Sequence, residues 1–177
     1  MTDPLPVTRP SAERVAALLP SLVELLQDAV AGGASVGFLP PLSAAEAEAF
    51  WRGLLPAMAQ GTLWPFAVCA GDSVLGYVQL DLAQKANARH RAEVQKLLVH
   101  RRARRQGHAT RLMQAAETAA LAAGRRLLVL DTLAGSEAEP LYAGLGYQSA
   151  GLIPHYAEVA GGALEPTHLF YKLLAEG

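Results

Sequence analysis

The chain has 177 residues, 51% apolar and 18% charged, enough for one sizeable core across residues 1–177 and scarcely for two. Fifteen Lys and Arg offset sixteen Asp and Glu, so a net charge of −1 gives no case for a general nucleic-acid or membrane binder. The lone cysteine, Cys69, excludes an internal disulfide, a CxxC redox pair and a zinc site built from several thiolates.

Apolar residues at Val15, Leu18, Leu19, Leu22, Leu25, Leu26 and Ala29 recur with helical spacing, and Gly32-Gly33 stops the segment, which predicts one amphipathic helix. Ala34 to Leu42 reads as a loop. A second helix starts at Ser43, with Glu46 completing a capping box, and runs to about Gly61, kinked or shortened by Pro56. Trp64 to Ala70 and Val74 to Leu82 read as strands joined by an Ala70-Gly-Asp-Ser73 hairpin turn. Cys69 lies in the first of them, where burial is the expected role. Glu93 to Val99 is a third strand.

A long helix follows from about Gly107 to Ala123, its inner face made by Ala109, Leu112, Met113, Ala116, Ala119, Ala120 and Ala123. Leu127 to Leu130 is a continuous apolar run, the pattern of a strand covered on both faces. A short helix over Ser136 to Leu145, a strand near Tyr147 to Leu152, a loop, and a strand near Thr167 to Leu173 complete the order. This is a mixed α/β domain with a right-handed βαβ unit at its centre. No apolar run approaches the ~20 residues that span a bilayer, and the start Met1-Thr-Asp-Pro-Leu-Pro6 lacks a basic, apolar leader, so a cytoplasmic protein is expected.

Eight of the fifteen basic residues fall between Arg89 and Arg111. Arg101, Arg102, Arg104 and Arg105 precede the long helix at the end that already carries roughly half a positive charge from the macrodipole. Cations there are unfavourable unless an anion sits among them, and free N–H groups of the first turn beside Gly107 suit one. The competing reading is a solvated basic loop. GxxxxGK[ST] and GxGxxG stretches are absent, which disfavours nucleotide hydrolysis and dinucleotide redox chemistry.

What remains is Arg104-Arg105-Gln106-Gly107-His108-Ala109 after Leu97-Leu98-Val99, followed by Ser136-Glu-Ala-Glu-Pro-Leu-Tyr-Ala-Gly-Leu-Gly-Tyr147. In this order the two segments resemble the signatures of the GNAT superfamily of N-acetyltransferases. With Ala31-Gly-Gly-Ala-Ser-Val-Gly-Phe38, Arg91 to Val99, Leu130-Asp-Thr132 and Ala134-Gly-Ser136, the resemblance is nearest the tabtoxin-resistance type, which acetylates a small amino-acid-like toxin. Arg105 and Ala109 replace glycines of the first signature, Arg101 stands where proline is frequent, and Gly135 replaces a frequent asparagine, leaving Ser136 as its substitute.

The resemblance implies a mostly antiparallel twisted sheet of about six or seven strands with a splayed central parallel pair, flanked by about four helices. It also implies acetyl-CoA as cosubstrate and direct transfer to a small-molecule amine, without an acyl-enzyme. Leu97, Leu98 and Val99 would pair with the pantetheine arm, with N–H groups near Leu98 and Val99 on the thioester carbonyl. Amides of Arg104, Arg105, Gln106, Gly107, His108, Ala109 and Thr110 would take the diphosphate. Tyr142 is the expected general acid, and Tyr147 packs. Glu93 is the candidate base, six residues before Val99, with strand alternation expected to put both on one face. A paired or solvent-facing glutamate is its alternative. Asp131 either anchors a substrate amine or caps a turn, and His155 and Tyr156 are substrate contacts on the loop between the last two strands. His100, His108 and His168 are too scattered for a metal site, and none is expected. A homodimer is compatible with apolar surface at the sheet edge. The competing functions are an acyl-CoA-binding regulatory domain without turnover, and a nucleic-acid module using Arg89 to Arg111.

Overall fold

The computed structural model describes residues 5–175. Seven strands form one sheet in the order β1-β2-β3-β4-β5-β7-β6. In sequence they are β1 (Val7–Thr8), β2 (Leu63–Ala70), β3 (Ser73–Leu82), β4 (Arg91–Val99), β5 (Leu127–Leu133), β6 (Gln148–Glu158) and β7 (Leu164–Leu173). Neighbours are antiparallel except β4 and β5, the parallel pair that brackets the crossover helix. The mixed architecture and the central parallel pair are those expected. Five α-helices occur among the described residues, against about four expected: α1 (Ala12–Ala17), α2 (Leu19–Ala31), α3 (Ala44–Ala59), α4 (His108–Ala122) and α5 (Glu139–Gly144).

The extra helix comes from Pro20. The amphipathic stripe was expected to form one helix, but a proline ring lacks the N–H that would continue the ladder, so the chain breaks at Leu18 and restarts with Pro20 in the first turn of α2. No side chain caps that turn. Packing holds α2 instead: Leu22, Leu25 and Leu26 are at most 1% exposed, each worth about 2 kcal/mol of burial. Helix α3 begins with the expected capping box, in which Glu46 N–H donates to Ser43 Oγ at 3.2 Å and Ser43 N–H donates to Glu46 Oε2 at 3.1 Å. Pro56 stays inside α3 without ending it. The Trp51 indole N–H donates to Leu22 O at 2.9 Å and ties α3 to α2.

The sheet has a core on each face. One lies under α2 and α3 around Trp51, Tyr77, Val74 and Leu98. The other lies under α4 around Leu112, Met113, Val94, Leu128 and Phe170. Cys69 is half-buried beside the first. No helix among the described residues is long and apolar enough to cross a membrane.

Two departures from expectation bear on the site. Strand β4 carries a bulge: Gln79 faces Gln95 and Tyr77 faces Leu98, so β4 spends one residue more than β3 over this interval. Lys96 absorbs it with φ 54°. An inserted residue inverts alternation, so Glu93 and Val99 lie on opposite faces and not on one, as period two had suggested. Strand β6 extends to Glu158, which places His155 and Tyr156 in an irregular part of a strand, not in a loop. This edge strand exposes Leu152, Ile153 and Tyr156, with Leu164 exposed on β7.

Candidate active site

A cleft of about 900 Å³ opens at the carboxyl end of the parallel pair. Strands β4 and β5 are paired only over Arg91↔Leu127, Ala92↔Leu128 and Glu93↔Val129, and beyond Glu93 they separate. The bulge at Lys96 turns β4 away. His100 N–H donates to Leu75 O at 2.9 Å, on the β3 side. Peptide groups alternate along a regular strand, so beyond the bulge those of Leu98 face β3 while those of Val99 face the open edge, and Leu97 lines the cleft next to the bulge. The Val99 carbonyl accepts from Arg104 Nε at 3.4 Å, consistent with that direction. Leu98, expected to offer its N–H to the cleft, therefore turns it inward.

Helix α4 starts at His108, across the loop that carries Arg101 to Arg105 from the end of this edge at Val99. Its N-cap, Gly107, has φ 74°, a conformation that L side chains rarely adopt, and no side chain caps the helix. The N–H groups of His108, Ala109 and Thr110 donate to no backbone carbonyl among the described residues. Arg104 lines the cleft; residues 105–110 stand beside it without lining it. Arg105 has φ 63° and an exposed side chain. The His108 ring is buried against Arg111, and burial, aided by that guanidinium, pushes its pKa down. The ring of His108 is closed to solvent, and its main-chain N–H stands in the first turn of α4.

The four arginines split into two pairs. Arg101 Nε donates to Asp28 Oδ1 at 2.6 Å and Arg101 N–H to Asp28 Oδ2 at 2.9 Å. Arg102 Nη1 donates to Glu24 Oε1 at 3.3 Å and Nη2 to Ser73 Oγ at 2.5 Å. Both are fastened to α2 rather than gathered around an anion, which corrects that part of the cluster reading. Arg104 and Arg105 make no ion pair among the described residues.

Across the cleft, α5 presents Tyr142. Its ring is buried, edge-on to Tyr147 at 5.9 Å between centroids and tilted against Phe170. Burial, with the negative charge of Asp131, pushes its phenol up to about 12. Tyr142, Asp131 and Glu93 all line the cleft, as do Ser136 and Tyr156. Asp131 is held by the Thr167 hydroxyl, which donates at 2.8 Å. Ser136 Oγ lies 3.0 Å from Thr132 Oγ1. His155, at φ 54°, does not line the cleft. Such a surface offers N–H donors for an oxyanion or a diphosphate, two carboxylates for proton uptake, and a phenol that keeps its proton.

Two further elements were missed. Lys96 and the loop 32–39 line the same cleft as Asp131. From this loop Phe38 stacks edge-on to Phe50, Phe50 to Trp51 and Trp51 to Tyr77, at 4.9–5.2 Å between centroids, anchoring the wall in the core. A lysine interrupting an otherwise regular strand was the available signal for the bulge. Among the described residues, no group of three or more His, Cys, Asp or Glu could hold a metal ion.

Comparisons with known proteins agree with this geometry. The ribosomal-protein-alanine N-acetyltransferase from Brucella melitensis has TM-score 0.79 at 20% identity, over 96% of this chain and 100% of that one. The phosphinothricin acetyltransferase from Sinorhizobium meliloti, solved in complex with acetyl-CoA, has TM-score 0.78 at 20% identity, over 98% and 90%. A GNAT acetyltransferase from Streptococcus pneumoniae has TM-score 0.75 at 19% identity, over 96% and 99%. At these identities the likeness is one of fold. The model of the acetyltransferase (GNAT) family matches residues 21–147, and the chain belongs to that family.

Proposed function

We propose that the protein is an acetyl-CoA-dependent N-acetyltransferase, residues 1–177 acting as one catalytic unit in the cytoplasm. It transfers acetyl directly to the amine of a small amino-acid-like or toxin-like molecule, as the tabtoxin-resistance type does. The observation that carries this reading is the combination of the open edge of β4 and the phenol of Tyr142 at one cleft with the uncapped N-terminus of α4 beside it.

These features fit acetyl-CoA. Uncapped N–H groups at Gly107 to Thr110, with Arg104 and Arg105, suit a diphosphate. Leu97 and Ser136 line the cleft, and the outward peptide group of Val99 continues the open edge just beyond that lining, a surface that suits an amide-bearing arm. When bound, acetyl-CoA supplies an acyl group activated as a thioester. The Val99 N–H polarises a carbonyl oxygen placed at the open edge. Glu93, with Asp131, takes the ammonium proton of the acceptor and leaves a neutral amine. Tyr142 Oη, protonated because burial raises its pKa, gives its proton to the departing sulfur. Tyr156 contacts the acceptor from β6, and His155 supports that edge from outside the cleft. Exposed Leu152, Ile153 and Leu164 favour a homodimer through β6.

Two rival readings are weaker. A binding domain without turnover has no use for Glu93, Asp131 and Tyr142 around one cleft. A nucleic-acid patch needs free arginines, and Arg101 and Arg102 are engaged by Asp28 and Glu24. The test is incubation with acetyl-CoA and a panel of amines. Free CoA with a product heavier by one acetyl group supports the proposal; coenzyme binding without CoA release from any acceptor contradicts it and favours the regulatory reading.

A further inference from the structure

Lys96 sits at the β4 bulge and lines the same cleft as Asp131 and Glu93. A non-glycine residue in the left-handed region costs roughly 1 kcal/mol, and this one puts a half-buried cation among the lining of the cleft. Its Nζ lies 5.4 Å from the centroid of Phe50, and a Cβ added to Gly37 would stand 3.8 Å from it. Glu93 and Asp131 are near enough to act on its charge. Among the described residues, however, Nζ makes neither a hydrogen bond nor an ion pair. Burial lowers its pKa, and the two carboxylates work against that. Buried charges are ordinarily paired. Here the carboxylates stand beyond contact and the ammonium rests over the face of Phe50, so among the described residues its N–H donors have no oxygen partner and can receive an anion.

We propose that Lys96 binds a carboxylate of the acceptor, while Glu93 and Asp131 receive the ammonium of the same molecule. The acceptor is then a zwitterion of the amino-acid kind and not a simple amine or polyamine. This inference rests on the acetyltransferase reading and adds the charge pattern of the substrate. The bulge supplies the specificity: without the inserted residue, the outer half of β4 would alternate as the inner half does and this wall would be built differently.

The test uses the full chain, acetyl-CoA, the common L-amino acids, their carboxamides, and putrescine. Acids should be preferred over their carboxamides by about tenfold or more in kcat/KM. Lys96→Gln should lower kcat/KM for the acids by about 100-fold, mainly through KM, while carboxamides change less than about threefold. Lys96→Arg should recover at least part of the loss. Equal turnover of acids and carboxamides by the wild type, or equal losses on both in Lys96→Gln, would overturn the assignment. Absence of CoA release with every acceptor would contradict the acetyltransferase reading instead. Thermal shift then decides about Lys96: stabilisation by acids alone, lost in Lys96→Gln, supports the anchor, and any other pattern overturns it.

Discussion

Val94 and Leu98 lie on the same strand with an even separation, yet Val94 packs under α4 and Leu98 under α2 and α3. The bulge at Lys96 is the cause. It assigns Leu98 to the core that holds Trp51 and Tyr77, where it is 2% exposed. Leu98→Ala should therefore lower unfolding free energy by about 2–4 kcal/mol, read by urea denaturation. A loss below about 1 kcal/mol would place Leu98 elsewhere.

Tyr142 is the group whose removal should affect chemistry most selectively. Tyr142→Phe keeps the ring and its contacts with Tyr147 and Phe170, so Tm and the Kd for acetyl-CoA should change little, while kcat falls by about 100-fold or more. Burial raises the phenol to about 12, so it stays protonated throughout the working range. The wild-type kcat profile should show no descending limb from this group up to about pH 10. A limb centred near 10 and abolished in Tyr142→Phe would contradict the assignment.

The divided arginine cluster separates stability from coenzyme binding. Arg104→Gln should weaken acetyl-CoA by about tenfold, more so at low salt, by calorimetric titration. Arg101→Gln should change Kd by less than about threefold and instead lower stability, because its partner Asp28 is on α2. The reverse pattern would mean that Arg101, not Arg104, meets the ligand.

Asp28 gives a pH-dependent signature. Burial pushes its carboxyl up, but hydrogen bonds from the Arg101 backbone and side chain, with the charges of His100 and Arg101, outweigh that and hold it below its usual range. A carboxylate with a depressed folded pKa stabilises fully above its unfolded value near 4 and loses that contribution as pH falls through the folded one. Because Arg101 is 59% exposed, solvent screens the pair, and Asp28→Asn should cost about 1–2 kcal/mol at pH 7. The gap between wild type and variant should close below about pH 4. A gap independent of pH would exclude this origin.

Helix α3 offers a check far from the chemistry. Ser43→Ala removes one half of the reciprocal cap with Glu46 and should cost about 1 kcal/mol with unchanged kcat/KM.

The sequence carried the larger elements because their signals are local: the capping box at Ser43, the hairpin at Gly71 and the glycine-initiated helix after Gly107 occur in the structure. Tyr142, Glu93 and Asp131 reach one cleft from α5, β4 and β5. What it did not disclose depends on neighbours. Pro20 is the exception: it splits the first helix by a local rule, its missing N–H, which the unbroken apolar stripe around it masked. The β4 bulge is defined by register against β3, so period two misassigned the relation of Glu93 to Val99. Arg101 and Arg102 found acids on α2, seventy-odd positions away, which no reading of one loop could anticipate. His155 and Tyr156 read as a loop beyond a strand ending near Leu152, whereas β7 pairs with β6 on both sides of an irregularity there.

A crystal structure of the protein grown with saturating acetyl-CoA tests the whole account most directly. The account predicts the diphosphate on the main-chain amides of Gly107 to Thr110 beside Arg104, the pantetheine arm along Leu97 and Val99, and the sulfur within reach of the Tyr142 hydroxyl. Coenzyme bound elsewhere, or β4 and β5 closed against each other with no coenzyme between them, would contradict it.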